Sequence, residues 1–288
     1  MIDTGAAAGG VAVDVFFPVL HGPMGEDGTV QGLLELADVA YVGAGVVGSA
    51  IGMDKDVMKR LLRDADIPVA AFVAIRKSAF ETDPRAACER AAHLGFPCFT
   101  KPANLGSSVG VSKVKDASEL EAAIAFALQF DEKAIVEEAI VGREIECSVL
   151  GNDAPIASVP GEIIVRHAEG FYSYDAKYVD ESGAELVIPA KLTDTECENV
   201  KRMAIAAFQA LECSGLARVD FFLEPSGRLL VNEINTLPGF TRISMYPKLW
   251  EESGIGPEEL VSRLIDLAVE RHARKKARLT TALPGRTE

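Results

Sequence analysis

Apolar positions along the chain follow two different periods, and each period predicts one kind of element. Residues 11–20 form a nearly continuous apolar run, which is typical of a buried strand. Residues 28–38 instead place apolar side chains three and four positions apart, which predicts a helix with one face in the core. Short strands and amphipathic helices continue to alternate as far as a last helix that begins near Pro257. This alternation indicates an α/β or α+β protein.

Polar residues just before the apolar helical runs predict where helices begin. Asp54 can cap the helix that follows it. Thr193 with Glu196, and Ser118 with Glu121, each match a capping box, in which a hydroxyl and a carboxylate three residues apart accept hydrogen bonds from each other's main-chain amides. We therefore expect three helices to start at these residues.

Composition and charge disfavour several classes of protein. The net charge is -14 in 288 residues, so the surface should repel nucleic acid and anionic membranes. The five cysteines contain no CxxC pair and there are only four histidines, which argues against a zinc cluster. No apolar run is long enough for a transmembrane helix, and the N-terminus does not resemble a signal peptide. We expect a cytoplasmic protein with free thiols, and neither nucleic acid nor a membrane as partner.

Two carboxylates and an amide recur on a predicted hairpin. Glu233 and Asn235 lie two residues apart on one strand, so their side chains leave the same face. Pairing outward from the turn at 225–227 places Asp220 roughly opposite Glu233. Like charges that face each other destabilise a hairpin unless a cation lies between them, and oxygen ligands suit Mg²⁺. The pattern predicts a metal site; the alternative is a solvated acidic strand face.

Two glycine-containing segments could bind phosphate groups. Residues 101–110 join two predicted strands, with Lys101 at the base and Ser107 and Ser108 in the loop, where amides and hydroxyls can face phosphate oxygens. By itself such a loop is more often an ordinary turn. Residues 43–48 match GxGxxG, but the acidic residue that completes a dinucleotide site does not end the next strand, so we disfavour that alternative.

Taken together and in order, these motifs are similar to those of one family, the ATP-grasp D-alanine–D-alanine ligases. The resemblance spans about residues 12 to 270. The segments that carry it are Leu20-His21-Gly22, Gly25-Glu26-Asp27-Gly28, Met53-Asp54-Lys55, Lys101-Pro102 with Gly106-Ser107-Ser108-Val109-Gly110, Glu137-Glu138, Ala176-Lys177-Tyr178, Gly215-Leu216-Ala217-Arg218-Val219-Asp220 and Asn232-Glu233-Ile234-Asn235-Thr236-Leu237-Pro238-Gly239.

The resemblance implies an ATP-grasp fold of α+β and α/β class, in which two α+β subdomains clasp ATP behind a truncated α/β N-terminal domain. The implied divisions are 1–52 for the remnant of the N-terminal substrate domain, 53–136 for the central ATP-grasp subdomain, 137–272 for the C-terminal subdomain with the metal site, and 273–288 for a tail. We interpret the residues from Arg271 onward as a frayed, solvated helix end.

The resemblance also implies a reaction. ATP phosphorylates the carboxylate of a first D-alanine, the amine of a second D-alanine attacks the acyl phosphate, and phosphate leaves, which supplies peptidoglycan precursor synthesis. The implied cofactors are ATP and two Mg²⁺ (or Mn²⁺) ions. The implied partners are the small-molecule substrates and a second copy of the chain in a homodimer.

Individual residues take their roles from the same resemblance. Nucleotide binding is implied for Lys55, Lys101, Ser107, Ser108, Glu137, Glu138, Ile140, Glu144 and Lys177. Metal binding is implied for Asp220, Glu233 and Asn235. Catalytic roles are implied for Ser107, Tyr178, Arg218, Gly239 and Ser244. Substrate binding is implied for His21, Glu26 and Met245. Residues 171–178 correspond to the family's mobile lid, and Tyr178 in it predicts an amino acid rather than a hydroxy acid as second substrate.

The start of the chain departs from the family pattern. Those ligases open with a strand, a glycine-rich turn and a helix, and the turn carries a glutamate for the first D-alanine; residues 1–10 contain no match. We expect the natural start to lie upstream. The alternatives are a catalytically impaired nucleotide-binding remnant, or another ATP-grasp ligase with a different amino-acid acceptor.

Overall fold

A small lobe of two strands and two helices opens the computed structural model, which describes residues 12–165 and 184–278. Strands β1 (Val15–Phe16) and β2 (Ala40–Tyr41) pair in parallel, with α1 (Thr29–Leu36) as the crossover between them and α2 (Val46–Met53) after them. The strand predicted over residues 11–20 is only two residues long in the described part, because β2 alone pairs with it there.

Four strands of the described chain form an antiparallel sheet in the order β3-β6-β4-β5. These strands are β3 (Phe72–Arg76), β4 (Cys98–Pro102), β5 (Ser112–Val114) and β6 (Lys133–Glu138). The helices packed on this sheet are α4 (Lys77–Thr82), α5 (Pro84–Ala92) and α6 (Ala117–Ala127). The predicted capping box at Ser118 is wrong: Asp116 caps α6, and its carboxylate accepts a hydrogen bond from the Ser118 amide at 2.8 Å. A carboxylate two residues earlier is the better acceptor for the helix's first amides.

A second, larger sheet follows in the order β10-β9-β7-β11-β12, with β8 also paired to β7. Its described strands are β7 (Arg143–Gly151), β8 (Ile156–Ala157), β9 (Gly161–Val165), β10 (Ala184–Val187), β11 (Gly215–Leu223) and β12 (Leu229–Asn235). The helices that pack on it are α7 (Asp194–Ala210), α8 (Met245–Glu252) and α9 (Pro257–Lys276). The capping box of Thr193 with Glu196 is confirmed at the start of α7.

Helix α3 (Lys55–Asp64) lies between the two sheets. Asp54 caps it, as predicted, by accepting hydrogen bonds from the amides of Asp56 and Val57. Its apolar face does not pack on the smaller sheet: Met58 and Leu62 are fully buried in the same core as α7 and the larger sheet. The same side of α3 also carries Lys55 and Lys59, which contact Leu105 in the loop after β4 and Glu137 on β6, so this one helix joins the two halves of the molecule.

The C-terminal helix holds the small lobe in place. Arg271 donates hydrogen bonds to the main-chain carbonyls of Tyr41 and Gly43, and its guanidinium carbon lies 4.3 Å from the centroid of the Tyr41 ring. The interpretation of a frayed end from Arg271 is therefore wrong for residues 271–276, because α9 continues to Lys276 and is anchored by these contacts. No helix in the described ranges has both the length and the apolar character needed to cross a bilayer.

Candidate active site

The hairpin β11–β12 brings the predicted metal ligands together. Asp220 pairs with Glu233 across the two strands, and a β-bulge follows directly between Asp220 and Phe221. Asn235 donates a hydrogen bond from Nδ2 to Asp220 Oδ2 at 3.0 Å. The prediction that two carboxylates and an amide meet on one face of this hairpin is confirmed.

Arg218 neutralises part of this acidic cluster. Its guanidinium binds both oxygens of Asp220 at 2.7 Å, and Nε lies 3.0 Å from Glu146 Oε2 on the neighbouring strand β7. Burial disfavours the charged guanidinium, but Asp220 and Glu146 outweigh it and raise the pKa of Arg218 above its ordinary value. Sequence reasoning missed Glu146, although its alternation with Glu144 along one strand was a usable signal.

This donor set fits a magnesium ion better than a metal that needs a full protein cage. The described residues contain no cluster of three or more His, Cys, Asp and Glu side chains suited to a metal ion. Two carboxylates and an amide oxygen leave several coordination positions for phosphate oxygens and water, which is how Mg²⁺ usually binds.

Lys55 connects the hairpin with the glycine- and serine-containing loop. Its ammonium donates a hydrogen bond to the carbonyl oxygen of Leu105 at 2.6 Å and lies 3.6 Å from Glu233 Oε2. The helix start that carries Lys55 is itself fixed, because Lys133 on β6 binds both carboxylate oxygens of Asp54 at 2.7 and 2.8 Å. Lys55, held in this way, places the loop beside the predicted metal ligands.

The loop between β4 and β5 has a backbone suited to anions. Ser107 and Ser108 have φ angles of 54° and 58°, the left-handed region that non-glycine residues seldom adopt. Such strain costs roughly 1–3 kcal/mol for each residue and concentrates at ligand-binding segments, where it turns main-chain amides to one side. Asn104 anchors the loop through two hydrogen bonds to Asp131, at 2.8 and 2.9 Å.

At the base of the loop, Glu137 binds two lysines. One carboxylate oxygen lies 2.6 Å from the ammonium of Lys59, and the other pairs with Lys101. Burial raises the pKa of Glu137, but Lys101 and Lys59 outweigh that effect and lower it to about 2. The Glu137 carboxylate thus holds these two lysines, and its predicted contact with a nucleotide stays a prediction. Lys59 was missed from sequence, although it follows Lys55 by one helical turn.

The remaining predicted nucleotide residues lie where the two sheets meet. Glu138 accepts a hydrogen bond from the Ala71 amide at 2.8 Å. Ile140 lies in the connection from β6 to β7, and Glu144 follows near the start of β7 opposite Phe222; both are half-buried. These residues flank the connection from the smaller sheet to the larger one, and their contact with a nucleotide stays a prediction.

Glu26 approaches the loop between β4 and β5 from the small lobe. Its carboxylate accepts a hydrogen bond from the Gly22 amide at 2.8 Å, and it lies 4.0 Å from the position that a Cβ on Gly106 would take. Burial raises the pKa of Glu26, and the charge of Glu233 adds to that rise. His21 is exposed beside it. A cavity of about 660 Å³ adjoins this region, between Pro23 and the loop, away from the hairpin carboxylates.

Gly239, Ser244 and Met245 lie together where α8 begins. A Cβ on Gly239 would come within 2.8 Å of Ser244 Oγ, so only glycine fits there without displacing the serine. Ser244 Oγ accepts a hydrogen bond from the Thr241 amide at 3.0 Å. The Met245 side chain is buried in a core with Ile163, so any contact with a substrate carboxylate would come from its main-chain amide at the helix N-terminus.

The predicted lid and the GxGxxG segment remain to be placed. Lys177 and Tyr178, with the predicted lid at 171–178, lie outside the described residues. The GxGxxG segment serves packing: a Cβ on Gly48 would lie 2.4 Å from the carbonyl oxygen of Glu212, and one on Gly43 would lie 2.9 Å from Leu237. These glycines permit close approach of the C-terminal lobe, which accounts for them without a dinucleotide.

Comparison with known proteins agrees with this geometry. The family model described as D-ala D-ala ligase C-terminus matches residues 61–266, and the one described as D-ala D-ala ligase N-terminus matches residues 3–44. D-alanine–D-alanine ligase A of Chromobacterium violaceum is 55% identical over 260 residues, which is 90% of this chain and 70% of that protein. Ligase A of Escherichia coli K12 is 52% identical over 269 residues, which is 93% of this chain and 73% of that protein.

Solved structures give the same result for the fold. The D-alanine–D-alanine ligase of Coxiella burnetii superposes with a TM-score of 0.80 at 42% identity, over 92% of this chain and 70% of that one. The VanG D-Ala:D-Ser ligase of Enterococcus faecalis superposes with a TM-score of 0.81 at 40% identity, over 90% of this chain and 74% of that one. The fold is therefore ATP-grasp, and the chain belongs to the D-alanine–D-alanine ligase family.

Proposed function

We propose that the protein ligates two molecules of D-alanine with ATP, through an acyl phosphate, for peptidoglycan precursor synthesis. The observation that carries the proposal is the position of Lys55, which contacts the Leu105 carbonyl in the loop and lies 3.6 Å from Glu233. A phosphate chain held by that loop would present its terminal phosphoryl group to the hairpin carboxylates. We place the reaction in the cytoplasm, where ATP is available.

Phosphoryl transfer requires positive charge around the moving group. Lys55 and Lys101 would face the nucleotide phosphates, while the amides and hydroxyls of Ser107 and Ser108 would close over them. Two Mg²⁺ (or Mn²⁺) ions held by Asp220, Glu233 and Asn235 would neutralise the transferring phosphoryl group. Glu138, Ile140 and Glu144 would contact the adenosine at the border of the sheets.

The acceptor half-reaction requires an oriented amine and a stabilised oxyanion. Arg218, which Asp220 and Glu146 hold in one orientation, would stabilise the tetrahedral intermediate together with the amide of Gly239. Ser244 and the amide of Met245 at the start of α8 would bind the acceptor carboxylate.

The other end of the site would hold the donor D-alanine. Glu26 and His21 would face this substrate from the small lobe, next to the loop. Lys177 and Tyr178 would complete a lid that keeps water from the acyl phosphate.

By resemblance to the family, we also propose a homodimer. Light scattering of the protein as it elutes from a size-exclusion column would test this.

The decisive experiment measures phosphate released from ATP with and without D-alanine, and identifies the product by mass spectrometry. We expect release that depends on D-alanine and Mg²⁺, with the dipeptide as product. D-Serine and D-lactate as acceptors test the specificity predicted from Tyr178. Mg²⁺·ATP binding without any phosphate release on addition of D-alanine would refute the ligase activity.

A further inference from the structure

Lys59 is a buried lysine to which the proposed function assigns no role. It is fully buried, one helical turn after Lys55, so both ammonium groups leave the same face of α3. Its Nζ lies 2.6 Å from Glu137 Oε1, and neither atom makes an aligned hydrogen bond to any group in the described residues. The pair is thus an ionic contact deep in the protein.

Glu137 divides its two oxygens between two lysines. Oε1 faces Lys59 inside the protein, and Oε2 pairs with Lys101, whose side chain keeps 13% of its surface exposed at the base of the loop. With all three groups ionised, the triad carries one net positive charge, and Lys101 is the member nearest to solvent. Without Lys59, Glu137 and Lys101 would form a neutral pair.

Burying the ammonium group of Lys59 costs desolvation free energy that an apolar side chain would not cost. Desolvation of a lysine costs several kcal/mol before pairing, and an apolar side chain of similar volume would pack beside Met58 and Leu62 without that penalty. The position of Lys59 is therefore better explained by its charge than by its volume.

We propose that Lys59 is a positioning residue for nucleotide binding. Lys59 offsets the negative charge of Glu137 from the interior, while Glu137 still holds the ammonium of Lys101 in place. The three groups together then present one net positive charge to the nucleotide phosphates. This inference rests on the proposed use of ATP. It concerns binding of the phosphate chain, and Lys59 itself does not touch the substrate.

The test is a square of four proteins: the wild type, Lys59→Met, Glu137→Gln, and the double variant. Binding of Mg²⁺ with a non-hydrolysable ATP analogue is measured by calorimetry. We expect Lys59→Met to weaken binding by about ten- to a hundredfold, since it removes one full charge at a buried site. The double variant should recover most of that loss, because the neutral amide of Glu137→Gln no longer offsets the charge of Lys101 and the net charge is again positive.

Damage to the fold would give a different pattern from a change in charge. Lys201→Met, on the outer surface of α7 where Lys201 pairs with Glu198, is the matched control and should bind the analogue as the wild type does. Thermal melting checks each variant, and Lys59→Gln replaces Lys59→Met in the square if the latter does not fold.

The outcomes separate the inference from the function on which it rests. Wild-type affinity in Lys59→Met would overturn the inference, and so would a double variant as weak as Lys59→Met alone. A wild-type protein that binds no nucleotide would instead overturn the proposed function and the inference with it. Recovery of affinity in the double variant is the supporting result if Lys59→Met and the double variant melt at similar temperatures. A merely structural lysine would change affinity only together with the melting temperature, since the unpaired Glu137 carboxylate would destabilise the fold, and that pattern would overturn the inference.

Discussion

Replacing Glu137 by glutamine should make the free energy of unfolding depend less on pH in the acidic range. Lys101 and Lys59 lower the pKa of this buried carboxyl to about 2 in the folded protein, against 4.5 in the unfolded chain. Because the folded pKa is the lower one, the stabilisation is fully present above pH 4.5 and is lost as the pH falls toward 2. At about 1.4 kcal/mol for each pH unit, the interval corresponds to ~3 kcal/mol.

The measurement is urea unfolding, followed by circular dichroism, at several pH values from about 7 down to about 2. The wild type should lose ~3 kcal/mol more of its unfolding free energy across the acid interval than Glu137→Gln does. The variant also leaves Lys59 without a charged partner and should be less stable than the wild type near neutral pH, so the slope is compared and not the absolute value.

A solvent-facing carboxylate supplies the control. Main-chain and side-chain hydrogen bonds from Thr193 lower the pKa of Glu196 at the surface of α7. Water screens that interaction, so Glu196→Gln should leave the slope close to that of the wild type. Equal slopes in Glu137→Gln and the wild type would refute the argument that the buried triad is ionised in the folded state.

Three further changes test the site and its supports. Asp220→Asn should lower D-alanine-dependent phosphate release by about a hundredfold or more and raise the Mg²⁺ concentration needed for half-maximal rate. If the variant showed the same Mg²⁺ dependence as the wild type, Asp220 would not be a metal ligand. Gly48→Ala should destabilise by about 1–3 kcal/mol, because its Cβ would lie 2.4 Å from the Glu212 carbonyl oxygen. Gly32→Ala, which meets nothing within 4 Å, should instead be neutral or stabilising in the same urea assay. Arg271→Met should lower the unfolding free energy by about 2–3 kcal/mol and expose the small lobe to proteolysis; unchanged cleavage would mean that α9 does not anchor that lobe.

Features that depend on neighbours in sequence were predicted well. The two-residue spacing of Glu233 and Asn235, with a short turn back to Asp220, was enough to place three oxygen donors on one face of the hairpin. Strand geometry over a few residues decides that arrangement, whatever the rest of the fold does. The caps at Asp54 and Thr193 are local for the same reason, and the error at Ser118 was a choice between two nearby acceptors.

Pairings between distant segments needed the tertiary structure. The sequence motifs named Glu137 as a nucleotide residue but did not show that the approach of α3 pairs its carboxylate with Lys59 and Lys101. Glu146 meets Arg218 only because β7 lies beside β11 in the larger sheet. Periodicity and spacing show which face of an element a residue lies on, but not which distant residue it meets, since that depends on which elements are packed together.

The sequence by itself thus determined the family, the hairpin that carries the predicted metal ligands, and the loop predicted to bind phosphates, because each rests on short motifs with their own geometry. Only the tertiary structure decided which charges neutralise one another. It placed α3 with its apolar face on the larger sheet and its lysines toward the smaller one. It also showed that Arg271, interpreted from sequence as part of a solvated helix end, binds the carbonyls of Tyr41 and Gly43, because the stability of a long helix depends on what it packs against.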